Sequence, residues 1–291
     1  MRGVWMMDPL SAHQYYPIIH KLLAGNISFD PQLDSRENNN MPKGQGRISQ
    51  GPNMGLRVVD AAELYYSPES IKEPSIFVLD IIGPITKYNQ FCGPAGMKAK
   101  GEWLRLADAH PNIFAHVLNI DSPGGEGYAC RHFSSVISAM KKPVFSFVDG
   151  MAASAAYWIA SSTSFIACAS NMDRVGSIGT YITIADYSAW YINEGVRLVD
   201  VYATKSVDKN RDYIKAIEGD TSEIKNLADK FNAFFLDAVK SNRSNRGLNE
   251  ENVWGTGKMF FASEAQSIGM IDETISLEDY LSEIHKEYSP K

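Results

Sequence analysis

The sequence predicts an α/β fold with parallel strands and crossover helices, and three observations support this prediction. Apolar segments with the pattern of buried strands alternate along the chain with segments of helical periodicity. The strand segments are almost continuously apolar, as expected for strands that are covered on both faces. Turns that contain glycine or proline separate the two kinds of segment. Together these features are typical of parallel strands joined by helices.

The individual strands and helices follow from the local pattern of apolar residues. Buried-strand patterns cover residues 76–82, 113–120, 143–148, 164–169 and 196–202. Helical periodicity covers residues 126–141, 152–161, 187–194 and 223–240. In the last of these helices the apolar residues recur on one face, so we expect that face to pack against the core or a neighbouring subunit.

The chain has 291 residues, which is enough for one or two domains at about 150 residues each. Residues 15–23 fit a short amphipathic helix, whereas residues 26–53 are polar and rich in asparagine and glycine, as in a linker. We therefore divide the chain into three parts. These are an N-terminal helix and polar arm (residues 1–55), a folded domain (residues 56–278) and a C-terminal tail (residues 279–291).

Composition and charge disfavour several classes of protein. Hydrophobic residues make up 44% of the chain and charged residues 21%, as in an ordinary globular protein. The net charge of −6 disfavours nucleic-acid binding as the main function. The three cysteines, Cys92, Cys130 and Cys168, form no disulfide framework, which indicates a reducing compartment. Because no apolar run fits a signal peptide or a membrane span, we expect the protein in the cytoplasm or in an assembly made there.

The motifs of several enzyme classes do not occur in the sequence. There is no H-E-x-x-H, no Cys/His cluster with zinc-ligand spacing and no P-loop, so we expect neither a metal ion nor a cofactor. No histidine occurs between His132 and His285. A serine nucleophile in that interval would therefore lack a nearby downstream histidine as its base.

Three short segments contain the residues on which a hydrolytic site could be built. Residues 121–125 (DSPGG) follow a predicted strand, and their glycines leave backbone N–H groups open to a ligand. In residues 150–158 (GMAASAAYW), small residues surround Ser154 at the start of a predicted helix. Residues 175–180 (VGSIGT) follow another strand. Taken singly, each segment could also be an ordinary turn or a small-residue helix-packing patch.

In this order, the three segments resemble the signal peptide peptidase A family of serine peptidases, which includes phage capsid-maturation proteases. The family pattern is a strand followed by D/N-S-P-G-G, then a small-residue segment around the nucleophile, then G-S-I/L-G. Residues 265–272 (AQSIGMID) are similar to the closing A-x-x-x-G-L-[VI]-D of the family. The resemblance covers roughly residues 76–273. It implies the ClpP/crotonase-like fold, which is built of repeated ββα units.

The resemblance implies a peptidase that works with a Ser-Lys dyad. Ser154 takes the position of the nucleophile, and Ser177 that of the serine that orients the lysine. The backbone N–H groups of Gly125 and Ala155 take the positions of the oxyanion donors. To accept the serine proton, the lysine must be neutral, so its pKa must fall from about 10.4 to about 7.4, a difference of about 4 kcal/mol. Burial in an apolar site can lower a lysine pKa in this way.

The sequence departs from the family pattern at the lysine. The family has S-G-x-x-K or a close variant, whereas the corresponding residues 202–210 (YATKSVDKN) lack the glycine. Alignment on Lys205 and Ser206 favours Lys209 as the general base, and we take Lys209 as the first candidate. Alignment on Val207 and Asp208 leaves Lys205 nearest, which makes Lys205 the alternative. Two solvated loop lysines in an inactive chain are a third interpretation.

The function that we expect from the resemblance is cleavage of extended polypeptide by a serine endopeptidase. A phage or prophage protease that cleaves scaffold protein during capsid maturation fits best, in the bacterial host cytoplasm or the phage procapsid. Capsid, scaffold or portal proteins are then candidate partners. The resemblance also implies a homo-oligomer, because in relatives the lysine can reach the serine from a neighbouring subunit. We expect no nucleic-acid partner.

Three other functions remain open at this point. A ClpP-like Ser-His-Asp peptidase would need a histidine, which residues 133–284 lack. A crotonase-like acyl-CoA enzyme would use two backbone N–H groups without a nucleophilic serine, with an acidic residue such as Glu126 as acid or base. A structural capsid component would keep the fold without the catalytic base.

Overall fold

The computed structural model of the chain describes residues 5–7, 45–51, 55–90, 93–197 and 199–290. The helix expected over residues 15–23 lies outside these ranges. The strands are β1 (Trp5–Met7), β2 (Gln45–Ser49), β3 (Leu56–Asp60), β4 (Ser75–Ile82), β5 (Ile113–Ser122), β6 (Gly124–Glu126), β7 (Val144–Ala153), β8 (Ile166–Cys168), β9 (Arg174–Gly176), β10 (Met259–Phe261) and β11 (Glu273–Thr274). The helices are α1 (Ala61–Tyr66), α2 (Met97–Ala109), α3 (Gly127–Ser138), α4 (Ala155–Ser161), α5 (Ser188–Asn193), α6 (Arg211–Ile217), α7 (Ser222–Asn242), α8 (Glu251–Trp254), α9 (Ala262–Ser267) and α10 (Leu277–Tyr288).

Within the described part of the chain, nine strands form one sheet whose central strands are parallel. The main path runs β10-β9-β7-β5-β4-β2-β3, with β8 beside β7 and β11 beside β8. Parallel pairs join β4 to β5, β5 to β7, and β7 to both β8 and β9. Antiparallel strands β2, β3 and β10 lie at the two edges. The predicted α/β fold with parallel strands is confirmed.

Both faces of the central strands are buried, which explains why their sequences are apolar without interruption. Along β4, Phe77, Leu79 and Ile81 belong to the larger core cluster, which includes residues of α2, α3 and α4. Ile76 and Val78 point to the opposite face, where α10 contributes to a second cluster. Successive residues of one strand therefore serve two different cores.

A buried ion pair joins the end of α7 to Asp272, which directly precedes β11. Arg243 follows α7 and donates to both carboxylate oxygens of Asp272, at 2.9 and 3.0 Å. The same guanidinium donates to the carbonyl of Gly269, and Asp272 also accepts from the backbone N–H of Ile166 at 2.7 Å. Loss of one partner from a buried pair of this kind typically costs about 3–5 kcal/mol, because the other charge stays buried.

The segment around the candidate nucleophile differs from its prediction as a helix over residues 152–161. β7 continues through Ala153, and α4 begins only at Ala155. Ala152 pairs with Ser122 of β5 on one side and with Val175 of β9 on the other. Strand pairing on both sides thus outweighs the high helix propensity of alanine.

The strand predicted over residues 196–202 is absent from the residues of this range that the structure describes. Val199 and Val201 are 68% and 90% exposed. A strand forms only where a second strand satisfies its backbone hydrogen bonds, and the described chain pairs none with this segment. The apolar alternation was therefore not sufficient to predict a strand.

The two ends of the folded region contribute more to the core than their composition suggested. Residues 45–49, which we placed in the polar arm, form β2 and pair with both β3 and β4. Ile48 of this strand is fully buried. At the other end, residues placed in the C-terminal tail belong to α10, whose Tyr280 and Ile284 are buried in the second core cluster. Composition averaged over a long window cannot reveal a strand of five residues.

The two cysteines that the structure describes are part of the core. Cys130 and Cys168 are free and buried, and burial raises the pKa of Cys168 to about 12. Cys92 lies outside the described residues.

Among the residues that the structure describes, no helix combines the length and the apolar character that a membrane span needs.

A buried carboxylate joins the end of α2 to the turn before β7. Asp108 lies 3.2 Å from Nε2 of the buried His116, and it accepts the backbone N–H groups of Lys141 and Lys142, each at 3.1 Å. Burial by itself would raise the pKa of Asp108, but the hydrogen bonds outweigh burial and lower this pKa to about 2. The ionised carboxylate therefore stabilises the folded state.

We predict that Asp108→Asn lowers the free energy of unfolding by about 2 kcal/mol at neutral pH. The ordinary pKa of the carboxyl is 3.8 and the folded value is about 2, so its contribution is complete above pH 4 and is lost as the pH falls toward 2. Urea unfolding of both proteins between pH 2 and pH 7 measures this. The stability difference should shrink across that acidic window, whereas Asp229→Asn on the exposed face of α7 should leave stability unchanged. A difference that is constant with pH would contradict the prediction.

Candidate active site

The three segments singled out in the sequence meet beyond the carboxyl ends of neighbouring parallel strands. Ser154 directly follows β7, which lies between β5 and β9. One residue earlier, Ala153 pairs with Gly176 of β9, and two residues earlier Ala152 pairs with Ser122 of β5. The strand register therefore brings the D-S-P-G-G and G-S-I-G segments to either side of the serine. Ligand sites in open α/β sheets commonly lie at this edge.

Ser154 lies at a sharp turn between β7 and α4. Its φ of 54° and ψ of −120° are unusual for a residue with a side chain, and such a conformation costs about 1–3 kcal/mol. The Ser154 N–H donates to the carbonyl of Gly176 at 2.7 Å, which holds the turn in place. The Oγ is buried and has no hydrogen-bond partner among the described residues. A strained strand-to-helix turn is the setting in which many hydrolases present a nucleophilic serine.

Gly125 lies where the backbone of β6 passes very close to another segment. A Cβ atom on Gly125 would lie 2.1 Å from the carbonyl oxygen of Ile85, so only glycine fits. On this side of β6, Ile85 N–H donates to the Gly124 carbonyl at 2.8 Å, and Glu126 N–H donates to the Ile85 carbonyl at 2.9 Å. The close approach fixes the direction of the Gly125 N–H group, the first candidate oxyanion donor.

The hydroxyl of Ser122 holds the Gly-Gly turn in position. It donates to the Gly83 carbonyl at 2.7 Å and accepts the Gly124 N–H at 3.2 Å. The Gly83 N–H in turn donates to the carbonyl of Asp121 at 2.9 Å. The serine of the D-S-P-G-G segment is therefore a structural residue that orders the turn.

Ser177 directly follows β9, the strand whose Gly176 carbonyl accepts the Ser154 N–H. Its φ is 51°, its side chain is mostly buried, and its N–H donates to the Lys258 carbonyl at 2.8 Å. A Cβ on the preceding Gly176 would lie 2.5 Å from the same carbonyl. The edge strand β10 thus shapes the G-S-I-G segment, and sequence analysis did not identify it. The only sequence signal was the glycine pair at residues 255 and 257 before it.

The second candidate oxyanion donor, Ala155, is the first residue of α4. The first N–H groups of a helix have no acceptor within the helix, so this group is available to a ligand. Ala155 is fully buried, as are Ala156 and Tyr157. The Tyr157 hydroxyl donates to the Met270 carbonyl at 2.7 Å, which ties α4 to the closing segment of the sequence pattern.

The two candidate lysines lie in an open part of the chain. Lys205 and Lys209 are both exposed, and neither contacts the Ser154 Oγ by a hydrogen bond. Between residues 179 and 234, none of the residues that the structure describes is buried. The assignment of Lys209, or alternatively Lys205, as the base therefore stays a prediction, as does the role of Ser177.

Other polar groups near the site have structural partners. Glu126 accepts the Lys87 N–H at 2.9 Å. Asp173 accepts the Gly150 N–H at 3.1 Å. The pKa of the Asp121 carboxyl is raised by burial and by the nearby carboxylates of Asp149 and Asp173. Among the described residues, no group of three or more His, Cys, Asp or Glu side chains is arranged to hold a metal ion.

Comparison with known proteins gives a consistent set of similarities. The family model described as "Peptidase family S49" matches residues 137–289. "Putative protease MJ0651" of Methanocaldococcus jannaschii is 29% identical over 68% of this chain and 66% of its own length. "Head-tail preconnector protein GP5" of Enterobacteria phage P21 is 26% identical over 66% of this chain and 38% of its own. "Capsid assembly protease C" of Escherichia phage lambda is 23% identical over 67% and 44%, respectively. The chain thus spans less than two thirds of each of these relatives.

We predict that Ser154→Gly is more stable than Ser154→Ala by about 1 kcal/mol, because glycine adopts the positive φ without strain. Thermal or urea unfolding of the two variants measures the difference. Ser135 provides the control, because it lies within α3, is exposed and bonds only its own helix. At that position glycine should be the less stable replacement by about 1 kcal/mol. The same sign at both positions would contradict a strained turn at Ser154.

Proposed function

Because the chain belongs to peptidase family S49, we propose that it is a serine endopeptidase with Ser154 as its nucleophile. The observation that carries this proposal is the geometry of Ser154. Its hydroxyl is unpartnered and buried at a strained strand-to-helix turn, between two glycine-containing segments that the strand register brings together. A buried hydroxyl without a partner is uncommon in folded proteins, and it is suited to a group that must stay free to react.

The reaction follows the usual sequence of acyl transfer. The Ser154 Oγ attacks the carbonyl carbon of the scissile peptide bond while the lysine Nζ takes the hydroxyl proton. The backbone N–H groups of Gly125 and Ala155 stabilise the negative charge that develops on the carbonyl oxygen. The lysine then gives its proton to the leaving amine, and water hydrolyses the acyl-enzyme. Ser177 is assigned to orient the lysine.

A homo-oligomer is part of the proposal, because a lysine that acts as a base at neutral pH must be shielded from water. Lys205 and Lys209 are exposed in the single chain. The surrounding segment also exposes large apolar side chains, including Trp190, Ile192, Val201 and Phe234. Exposed apolar surface of this extent is typical of a protein interface. A neighbouring copy that covers this segment would bury the lysine and these side chains together.

The substrate that we propose is a scaffold or other head protein of a phage or prophage capsid. The support is the similarity to a phage protein named as a head-tail preconnector and to one named as a capsid assembly protease. An extended polypeptide suits the site, because one edge of β6 already pairs with an extended segment, β1, through backbone groups. Capsid and portal proteins are then the expected partners, in the host cytoplasm or the procapsid.

We predict that Ser154→Ala removes proteolysis of an unfolded protein substrate or of a phage scaffold protein. Removal of a nucleophile commonly lowers kcat by about 10⁶-fold, which is below detection here. Mass spectrometry of the cleavage products measures it. Ser135→Ala, a serine replacement on the exposed face of α3, should retain full activity. Equal cleavage by wild type and Ser154→Ala would exclude Ser154, and no cleavage in the presence of assembled capsid components would favour the structural alternative.

We further predict that Lys209→Met is inactive and that mixing it with Ser154→Ala restores activity. If one subunit supplies the serine and its neighbour the lysine, random mixing makes about a quarter of the sites complete. Activity of the mixed, refolded oligomer relative to wild type measures this. Lys205→Met tests the alternative lysine in the same assay, and Lys240→Met serves as an exposed control. Full activity of both Lys205→Met and Lys209→Met would exclude a dyad with either residue.

A further inference from the structure

The short strand β1 lies on the strand that contains the candidate oxyanion donor. β1 and β6 form a separate two-stranded antiparallel sheet in which Trp5 is opposite Glu126, Met6 opposite Gly125 and Met7 opposite Gly124. The mechanism proposed above makes no use of residues 5–7. The position of this segment therefore calls for its own explanation.

The hydrogen bonds on the far edge of β6 show which backbone groups face β1. The Gly124 carbonyl and the Glu126 N–H both bond to Ile85. Because backbone groups alternate between the two edges of a strand, the N–H and carbonyl of Gly125 face the opposite edge. That edge is occupied by Met6. The N–H group that we assign to the oxyanion site therefore points toward the backbone of the chain's own N-terminal segment.

We propose that residues 5–7 are a resident competitor of the polypeptide substrate, held on the edge of β6 that the substrate must use. This inference rests on the proposed function. A substrate strand cannot pair with the Ile85 edge, because that edge is already filled. On the other edge it must displace β1 before its carbonyl reaches the Gly125 N–H. A segment tethered to the same chain competes at a high effective concentration, so it raises the apparent KM for substrate.

Recognition on this edge is through backbone groups, so the occupant and the substrate need not share a sequence. This also explains why the sequence of residues 5–7 carries no peptidase motif. The segment acts by occupying the site and must leave it for cleavage to proceed. The chain is then a peptidase whose first ligand is its own N-terminal region.

The test uses two proline variants of the full-length chain that differ by one position. Met6 faces Gly125, so its N–H points toward β6, whereas the N–H of Met7 points away from it. Met6→Pro therefore removes a hydrogen bond between the strands and Met7→Pro removes none. Proline at position 7 also favours an extended residue 6, which the strand already has.

The first readout is the cleavage of an unfolded protein substrate by the two variants. We expect Met6→Pro to lower KM by about tenfold with kcat unchanged, because it weakens only the competing strand. Met7→Pro should keep KM within about twofold of wild type. Equal KM values in wild type and both variants would overturn the proposal.

The second readout does not depend on catalysis. In chains that also carry Ser154→Ala, the binding of a labelled peptide of residues 1–10 is measured by fluorescence anisotropy. The peptide should bind the Met6→Pro chain about tenfold more tightly than the Met7→Pro chain, because its site is vacated. This ordering, together with no cleavage by the chains that keep Ser154, would reject the proposed function and keep the occupied site, whereas equal affinities would reject the occupied site.

The third readout is the mass of the intact protein after prolonged incubation. A competitor that stays in place predicts an unchanged N-terminus in wild type and in Ser154→Ala. Loss of the first six residues from wild type alone would overturn lasting competition, because the segment would then be a substrate.

Discussion

The hydrogen bond from the Ser154 N–H to the Gly176 carbonyl is the interaction on which the candidate site depends. It holds a serine at positive φ, where the isolated residue would not remain. Gly176 has no side chain, which lets the Lys258 carbonyl approach β9 from the other side. A strained residue persists only when its surroundings determine its conformation, and here two neighbouring strands do so.

The parallel register of the sheet supplies those surroundings. β7 pairs with β5 up to Ala152 and with β9 up to Ala153, so three turns that are far apart in sequence share one edge. Both apolar faces of the sheet are covered, by α2, α3 and α4 on one side and α10 on the other. Movement of one strand relative to the next would therefore disturb two cores. Buried packing of this kind holds reactive groups to within fractions of an ångström.

The sequence predicted the parts of the molecule that local pattern and order determine. The alternating strands and helices followed from periodicity, and the order of the motifs selected Ser154 and Gly125 as candidates. What it could not predict depends on pairing partners. β2 was hidden within a polar stretch because its neighbours β3 and β4 make it a strand. Residues 196–202 have a strand pattern without a partner in the described chain. The carbonyl of Lys258 lies directly before β10, a strand that carries no motif.

The exposed lysine segment and the occupied edge of β6 each limit the activity that we propose for a single chain. On our proposals, a single chain lacks a shielded base, because Lys205 and Lys209 are exposed and none of the described residues between 179 and 234 is buried. Its Gly125 N–H is not free either, because Met6 is opposite Gly125. Association with other copies supplies the first, and withdrawal of β1 supplies the second. These two requirements are physically independent, so a newly made chain would cleave other proteins only after it had associated with other copies and a substrate had displaced β1.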